Sequence, residues 1–197
     1  MTHGVKIIGI AGTNGSGKDA VGQLLAEHCN YLFISVTDIM REELTRRSLP
    51  SERENMRALS AEWRREFGLS VLVDRAVETF NQTGDRYAGV VMASLRNPYE
   101  ADRVHELGGT MVWMDADPKI RYDRVQNSKR AGRIDDHKTF AQFTSEEMAE
   151  MHGTGDAASL NMLAVKERSD HVVVNDSSDL AKLEAAIIQT LGLNTEV

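Results

Sequence analysis

A segment near the N-terminus has the residue types and the spacing of a phosphate-binding loop. Gly12, Gly15 and Gly17 are separated by small polar residues, and Lys18 completes the spacing G-x-x-x-x-G-K. Glycines allow positive φ and carry no Cβ, so successive N–H groups can converge on phosphate oxygens at a helix N-terminus. The lysine would bridge the β- and γ-phosphates of a nucleoside triphosphate, for which we expect ATP. The predicted nucleotide-binding residues are Gly12, Thr13, Asn14, Gly15, Ser16, Gly17, Lys18, Asp19 and Ala20.

Asp19 stands where the usual loop pattern has Ser or Thr in contact with Mg²⁺. A carboxylate oxygen is a ligand that Mg²⁺ takes readily, so the predicted metal is Mg²⁺ and its predicted ligand is Asp19. An acidic residue also suits the first turn of a helix, where it interacts favourably with the helix dipole. The alternative interpretation is therefore that Asp19 only caps the helix.

The loop must be positioned by a strand before it and a helix after it. Short apolar, β-branched segments at 5–11, 31–36, 89–93, 111–114 and 171–174 predict five buried parallel strands, and helical spacing occurs between them. Strands that alternate with helices predict a doubly wound α/β sheet in one domain over residues 1–197. The Arg- and Glu-rich segment 40–82 predicts a helical region that covers the substrate, with an apolar side formed by Trp63, Phe67, Val71 and Leu72. The polar segment 126–137 predicts a mobile lid.

Composition limits the classes of function. The chain has 197 residues and a formal net charge of −7, which argues against a nucleic-acid-binding or membrane-surface protein. Its one cysteine, Cys29, excludes an internal disulfide and a cysteine-based zinc site and is typical of a reducing compartment. We find no pattern of a signal peptide or a membrane span and expect a cytoplasmic protein, either a monomer or a homodimer.

Beyond the loop, most of the chain resembles the nucleoside monophosphate kinase group of P-loop kinases, which includes adenylate kinases and related dephospho-CoA kinases. The segment 35–41, Ser-Val-Thr-Asp-Ile-Met-Arg, is similar to the family's segment after the second strand. Ser-Leu-Arg-Asn-Pro at 94–98 is similar to the segment after the third strand. The resemblance implies a P-loop three-layer sandwich in which Asp38, Arg41 and Arg96 bind the acceptor phosphate, Arg96 also acting in transfer.

The segment from Asp115 to Asp136 resembles the family's lid, which closes arginines onto the phosphates. By this resemblance Arg130 and Arg133 join Lys18 and Arg96 as the catalytic residues. The run 133–136, Gly153, Gly155 and the segment 170–175 resemble a group of archaeal kinase-like proteins. Arginine suits these roles because a guanidinium binds two phosphate oxygens at once.

Some residues depart from the family or have a structural interpretation. No carboxylate occurs in 90–95, where the family has an Asp that binds a magnesium-coordinated water.

Arg124 is interpreted equally well as a lid residue and as a surface ion-pair residue. The segment 175–178 either borders the adenine ring or caps a helix. Most of an arginine cluster is interpreted as a solvated face: Arg46, Arg47, Arg53, Arg57, Arg64 and Arg65.

The sequence therefore predicts an ATP-dependent phosphotransferase whose acceptor is a small nucleotide, most simply a nucleoside or deoxynucleoside monophosphate. The first alternative is a dephospho-CoA kinase, whose acceptor is a hydroxyl group. An alternative of another class is an ATP-dependent switch or assembly factor, which the missing strand-three carboxylate favours and the arginines of the lid oppose.

Overall fold

The computed structural model describes residues 6–83, 86–127 and 138–193. Within these residues the strands form one parallel sheet in the order β2-β3-β1-β4-β5. The predicted five-stranded parallel sheet is confirmed, with strand ends that differ by at most two residues from the prediction. The strands are β1 (Lys6–Gly12), β2 (Tyr31–Ser35), β3 (Gly89–Leu95), β4 (Thr110–Asp115) and β5 (His171–Val174).

Helices connect the strands and cover both faces of the sheet, as parallel strand connections require. The three helices between β2 and β3 make up most of the segment predicted as a helical region. In the described residues the helices are α1 (Lys18–Cys29), α2 (Val36–Arg46), α3 (Arg53–Phe67), α4 (Val71–Asn81), α5 (Pro98–Glu106), α6 (Pro118–Asn127), α7 (Phe140–Met151), α8 (Met162–Glu167) and α9 (Leu180–Leu191). None of them is long and apolar enough to cross a membrane.

Two hydrophobic cores lie on opposite faces of the sheet. Successive residues of β1 alternate between them, so Ile8 and Ile10 pack with Leu25 of α1 and Ile187 of α9, whereas Ala11 packs against the other core. That second core contains side chains of α2 to α5 and α8. The alternation follows from the period of two in a strand and holds β1, the strand that carries the loop, in the centre of the sheet.

One prediction about the helical region needs correction. Trp63 is buried as expected, but Phe67 at the end of α3 is 53% exposed and lies near the guanidinium of Arg75. Arg64 is an exception in the arginine cluster, most of which was interpreted as a solvated face, because its side chain is 1% exposed and pairs with the buried Glu100. The predicted lid, with Arg130 and Arg133, lies outside the described residues except for its first two positions, which end α6.

The sheet order determines where a ligand can bind. β1 lies between β3 and β4, and chain segments leave β1 and β3 at the same edge of the sheet. In open α/β sheets, ligands bind at the carboxyl ends of the strands where the strand order reverses. The loop after β1 and Arg96 after β3 therefore start on the same side of a common crevice.

Candidate functional site

The loop between β1 and α1 has the backbone geometry that its glycines predict. Gly12, Gly15 and Gly17 all have positive φ, and a Cβ on Gly17 would lie 2.4 Å from Nδ2 of Asn175. Gly17, which precedes α1, has no side chain and therefore cannot cap the N–H groups of the first turn. Uncapped N–H groups at a helix N-terminus are favourable for binding a phosphate.

Lys18 is held inside the loop. Its side chain is buried, and Nζ donates a hydrogen bond of 2.6 Å to the carbonyl oxygen of Thr13. Burial, together with the charge of Arg96, lowers the pKa of Lys18 to about 7, while Asp19 and Glu150 oppose the shift. A phosphate anion would stabilise the charged form of Lys18, which burial disfavours, so the site is suited to an anionic ligand.

Three side chains from other segments support the loop by donating hydrogen bonds to its carbonyl oxygens. Nδ2 of Asn175, just after β5, donates to the carbonyl of Ser16 at 2.9 Å. Arg121 and Arg124, both on α6, donate longer bonds of 3.4 Å to the carbonyls of Asn14 and Gly15. The sequence did not predict that these three residues support the loop.

A cavity of about 550 Å³ lies in front of the loop. It joins the loop to the helical region, because Lys18, Arg41 and Arg96 all line it. The arginines among its described lining residues outnumber the carboxylates, and none of those lining residues is aromatic. The lining is Asn14, Gly15, Gly17, Lys18, Asp19, Ala20, Ser35, Thr37, Met40, Arg41, Pro50, Ser51, Glu52, Arg53, Met56, Arg57, Ser60, Arg64, Leu72, Ser94, Arg96, Arg124, Val125, Glu150 and Leu160.

Glu150, near the end of α7, binds three of the arginines in this cavity. Its Oε2 accepts a hydrogen bond of 2.6 Å from Nη1 of Arg96. Its Oε1 accepts bonds of 2.7 Å from Nη2 of Arg57 and 3.3 Å from Nη1 of Arg53. Burial by itself would raise the pKa of Glu150, but the charge of Arg96 and the hydrogen bond from Arg57 outweigh it and lower the pKa to about 2. The carboxylate is therefore ionised at neutral pH.

The backbone at Arg96 is fixed by a buried carboxylate. Oε2 of Glu100 accepts hydrogen bonds from the backbone N–H groups of Arg96, at 2.8 Å, and Asn97, at 3.1 Å. Its Oε1 accepts from Nε and Nη2 of Arg64, and both side chains are almost completely buried. Arg64 also donates to the carbonyl oxygen of Ala158. This arrangement holds the chain after β3 in one position.

Arg41 and Asp38 form an exposed ion pair on α2, with 2.5 Å between Nη1 and Oδ1. Arg41 lines the cavity, whereas Asp38 is 62% exposed and is not among the described lining residues. The structure thus brings Lys18, Arg41 and Arg96 to one cavity and leaves Asp38 at its margin, as the partner of Arg41. Arg130 and Arg133, predicted to act from the lid, lie outside the described residues.

The residues at the loop fit a magnesium ion that is bound mainly by phosphates. Asp19 lines the cavity next to Lys18, and it influences the pKa of that lysine, so its negative charge lies close to the loop. β3 ends in Ala93, Ser94 and Leu95 without a carboxylate. Mg²⁺ commonly takes one or two carboxylates, with phosphate oxygens and waters as its other ligands. Asp19 can supply one such carboxylate. The described residues contain no group of three or more His, Cys, Asp or Glu side chains that could hold a metal ion by themselves.

Sequence reasoning missed several of these residues. Glu150 and Glu100 carried no motif, and Arg53, Arg57 and Arg64 belonged to a cluster of which most was interpreted as a solvated face. Their spacing contained one usable signal, since Arg53, Arg57 and Arg64 lie four and seven residues apart and so share one face of a helix. The spacing does not indicate which carboxylates these arginines bind.

Sequence relatives cover most of this chain. A family model described as an AAA domain matches residues 8–150. A UPF0200 protein of Thermococcus sibiricus is 28% identical over 176 residues, which cover 87% of this chain and 86% of that protein. A UPF0200 protein of Hyperthermus butylicus is 29% identical over 181 residues, with 91% and 89% covered. The expected resemblance to archaeal kinase-like proteins is thus confirmed.

Solved structures support the fold. A shikimate kinase from Bacteroides thetaiotaomicron has a TM-score of 0.60 at 14% identity and covers 95% of this chain and 99% of its own. The tunicamycin resistance protein of Deinococcus radiodurans has a TM-score of 0.56 at 11% identity, with 98% and 99% covered. At such identities the likeness concerns the fold alone. It confirms the predicted α/β fold of P-loop kinases.

Proposed function

Since the chain belongs to the AAA domain family and has a P-loop kinase fold, we propose that it is an ATP-dependent phosphotransferase acting on a nucleoside or deoxynucleoside monophosphate. One observation carries the proposal: the phosphate loop with Lys18 shares a cavity with Arg41 and Arg96. A protein that only binds ATP has no need of arginines facing the nucleotide across a second ligand space. Transfer to an anionic acceptor does need them.

Each side chain would act by position and charge. Lys18 would bridge the β- and γ-phosphates of ATP, and the loop N–H groups would hold the remaining phosphate oxygens. Arg41 and Arg96 would hold the acceptor phosphate, with Arg96 close enough to Lys18 to stabilise charge during transfer. Mg²⁺ bound with Asp19 would neutralise part of the phosphate charge. Arg130 and Arg133 are proposed to exclude water from the site as the lid closes.

The remainder of the cavity is suited to a nucleoside. Met40, Met56, Leu72 and Leu160 supply apolar surface, and Ser35, Thr37, Ser51 and Ser60 supply hydroxyl groups. Thioethers and aliphatic side chains can pack against a base without an aromatic partner. Hydroxyl side chains can donate and accept hydrogen bonds with a base or sugar. These groups favour a nucleotide acceptor over an inorganic anion.

The test is release of ADP, by a coupled assay with MgATP, against nucleoside monophosphates, deoxynucleoside monophosphates and dephospho-CoA. We expect one class of monophosphate to stimulate release and Lys18→Ala to abolish it. Arg41→Gln should raise the KM for that acceptor by about tenfold or more, the value of a lost charged hydrogen bond. Arg46→Gln is the matched control, since Arg46 lies on the same helix, is 74% exposed and pairs with Glu43 away from the cavity.

Other outcomes would replace the proposal. Stimulation by dephospho-CoA alone would identify a hydroxyl acceptor. Slow ATP hydrolysis that no acceptor changes would identify an ATP-dependent switch.

A further inference from the structure

We propose that Arg53 and Arg57 bind the phosphate group of the acceptor together with Arg41 and Arg96, and that Glu150 occupies the position between Arg53, Arg57 and Arg96 until a phosphate displaces it. The inference rests on the proposed function, because it assigns a specific group of the proposed acceptor. It adds two arginines of α3 and a competing carboxylate to the site.

The first step concerns geometry. Arg53 and Arg57 lie one turn apart on α3, and Arg96 follows β3, so two distant segments aim guanidinium groups at one point. The carboxylate of Glu150 lies at that point and contacts all three guanidinium groups at 2.6 to 3.3 Å. A third segment, the end of α7, supplies it. The structure therefore already contains an anion bound by three arginines.

The second step concerns charge and hydrogen bonds. A carboxylate has one charge and two oxygens in a plane, whereas each guanidinium has five N–H donors. Arg53 also pairs with Glu146, at 3.2 Å. A phosphate monoester brings three oxygens and close to two negative charges. It matches three guanidinium groups better than Glu150 does.

The third step concerns position. Arg96 and Glu150 line the same cavity as Lys18, and their charges shift the pKa of Lys18 in opposite directions, so this anion site adjoins the phosphate loop. A phosphate bound between these arginines would lie beside the terminal phosphate of ATP. Adjacent phosphates are what transfer between nucleotides requires, since reacting atoms must come within about 3 to 3.5 Å.

A purely structural role is the alternative for such a cluster, and the same chain contains an example for comparison. The Arg64–Glu100 pair is sealed, with side chains 1% and 0% exposed. The side chains around Glu150 are open to the cavity instead, since Arg57 is 46% exposed, Arg53 30% and Arg96 26%. An incoming anion can reach these arginines, whereas the Arg64–Glu100 pair offers almost no accessible surface to a ligand.

The test measures binding of inorganic phosphate to the full chain by calorimetry without nucleotide. Glu150→Gln removes the competing charge, so we expect it to bind phosphate about tenfold or more tighter than the wild type. Glu43→Gln is the matched control: Glu43 also accepts hydrogen bonds from two arginines and has a similar side-chain exposure, 14% against 12%, but it lies outside the cavity. It should leave phosphate affinity unchanged.

Phosphate bound in the loop must be distinguished from phosphate bound at the arginines. Adding Arg57→Gln to Glu150→Gln should remove the gain, whereas adding Lys18→Ala should preserve most of it. Glu150→Asp is a second variant in case the amide variant folds poorly, since it shortens the carboxylate and should give a smaller gain. Unchanged affinity in both Glu150 variants would overturn the inference, as would a gain that depends on Lys18 and not on Arg57.

This experiment is independent of catalysis. Tighter phosphate binding by Glu150→Gln in a protein that transfers no phosphoryl group would uphold the anion site and reject the proposed kinase. Transfer to a monophosphate with no gain in phosphate binding would uphold the kinase and reject the role of Glu150.

Discussion

The buried carboxylate of Glu100 offers the sharpest test of how the site is held together. Replacing Glu100 by Gln keeps the size of the side chain but removes its charge, and leaves the guanidinium of Arg64 buried without a counter-ion. Removing one partner of a buried ion pair costs about 3–5 kcal/mol of unfolding free energy. For a domain of this size, that loss corresponds to a decrease in Tm of about 6–20 °C.

The assay is urea unfolding followed by tryptophan fluorescence, because Trp63 and Trp113 are both buried. Glu106→Gln is the matched control on the same helix: Glu106 is 64% exposed and pairs with Arg103, so its loss should cost less than about 0.5 kcal/mol. Arg64→Met combined with Glu100→Gln should cost less than the sum of the two single changes, since no buried charge then lacks a partner.

A cost below about 1 kcal/mol for Glu100→Gln would refute this reasoning. Strict additivity of the double variant would also refute it. We further expect Glu100→Gln, measured well below its Tm, to bind the acceptor more weakly, because Glu100 fixes the backbone N–H groups of Arg96 and Asn97.

Three further predictions concern the loop. Because nucleotide phosphates should raise the pKa of Lys18 from about 7, binding at pH 8 should take up most of a proton and binding at pH 6 much less. Calorimetry in buffers of different ionisation enthalpy measures this, and Lys18→Arg, whose side chain stays charged, should lack this uptake. Gly17→Ala should weaken nucleotide binding by about tenfold or more, because φ is 100° and the new Cβ would meet Asn175. Gly155→Ala, with φ of 88° and open space around it, is the control, and equal losses of nucleotide affinity would contradict the steric argument. Asp19→Ser should keep a Mg²⁺ dependence close to that of the wild type, whereas Asp19→Ala should raise the half-saturating Mg²⁺ concentration. If the Mg²⁺ dependence of Asp19→Ala were identical to that of the wild type, Asp19 would only cap the helix.

Much of the fold was predictable because its signals are local. Apolar β-branched segments mark each strand, and the glycine pattern marks the turn from β1 to α1. Parallel strands then require helical connections, so the layered arrangement follows from the order of the elements. Phe67 is the instructive failure in the helical region: it is apolar and on a helix, yet its position at the end of α3 leaves it 53% exposed.

The amino-acid sequence by itself determined the phosphate loop, the parallel sheet and the arginines available for anion binding. Tertiary structure decided which arginines face a ligand and which carboxylates hold them. Arg57 meets Glu150 across 93 residues, Arg96 meets Glu150 across 54, and Arg64 meets Glu100 across 36. The physical reason is that spacing along a helix fixes only the face on which a charge lies. Its partner, and its access to water or ligand, depend on how distant helices pack over the sheet.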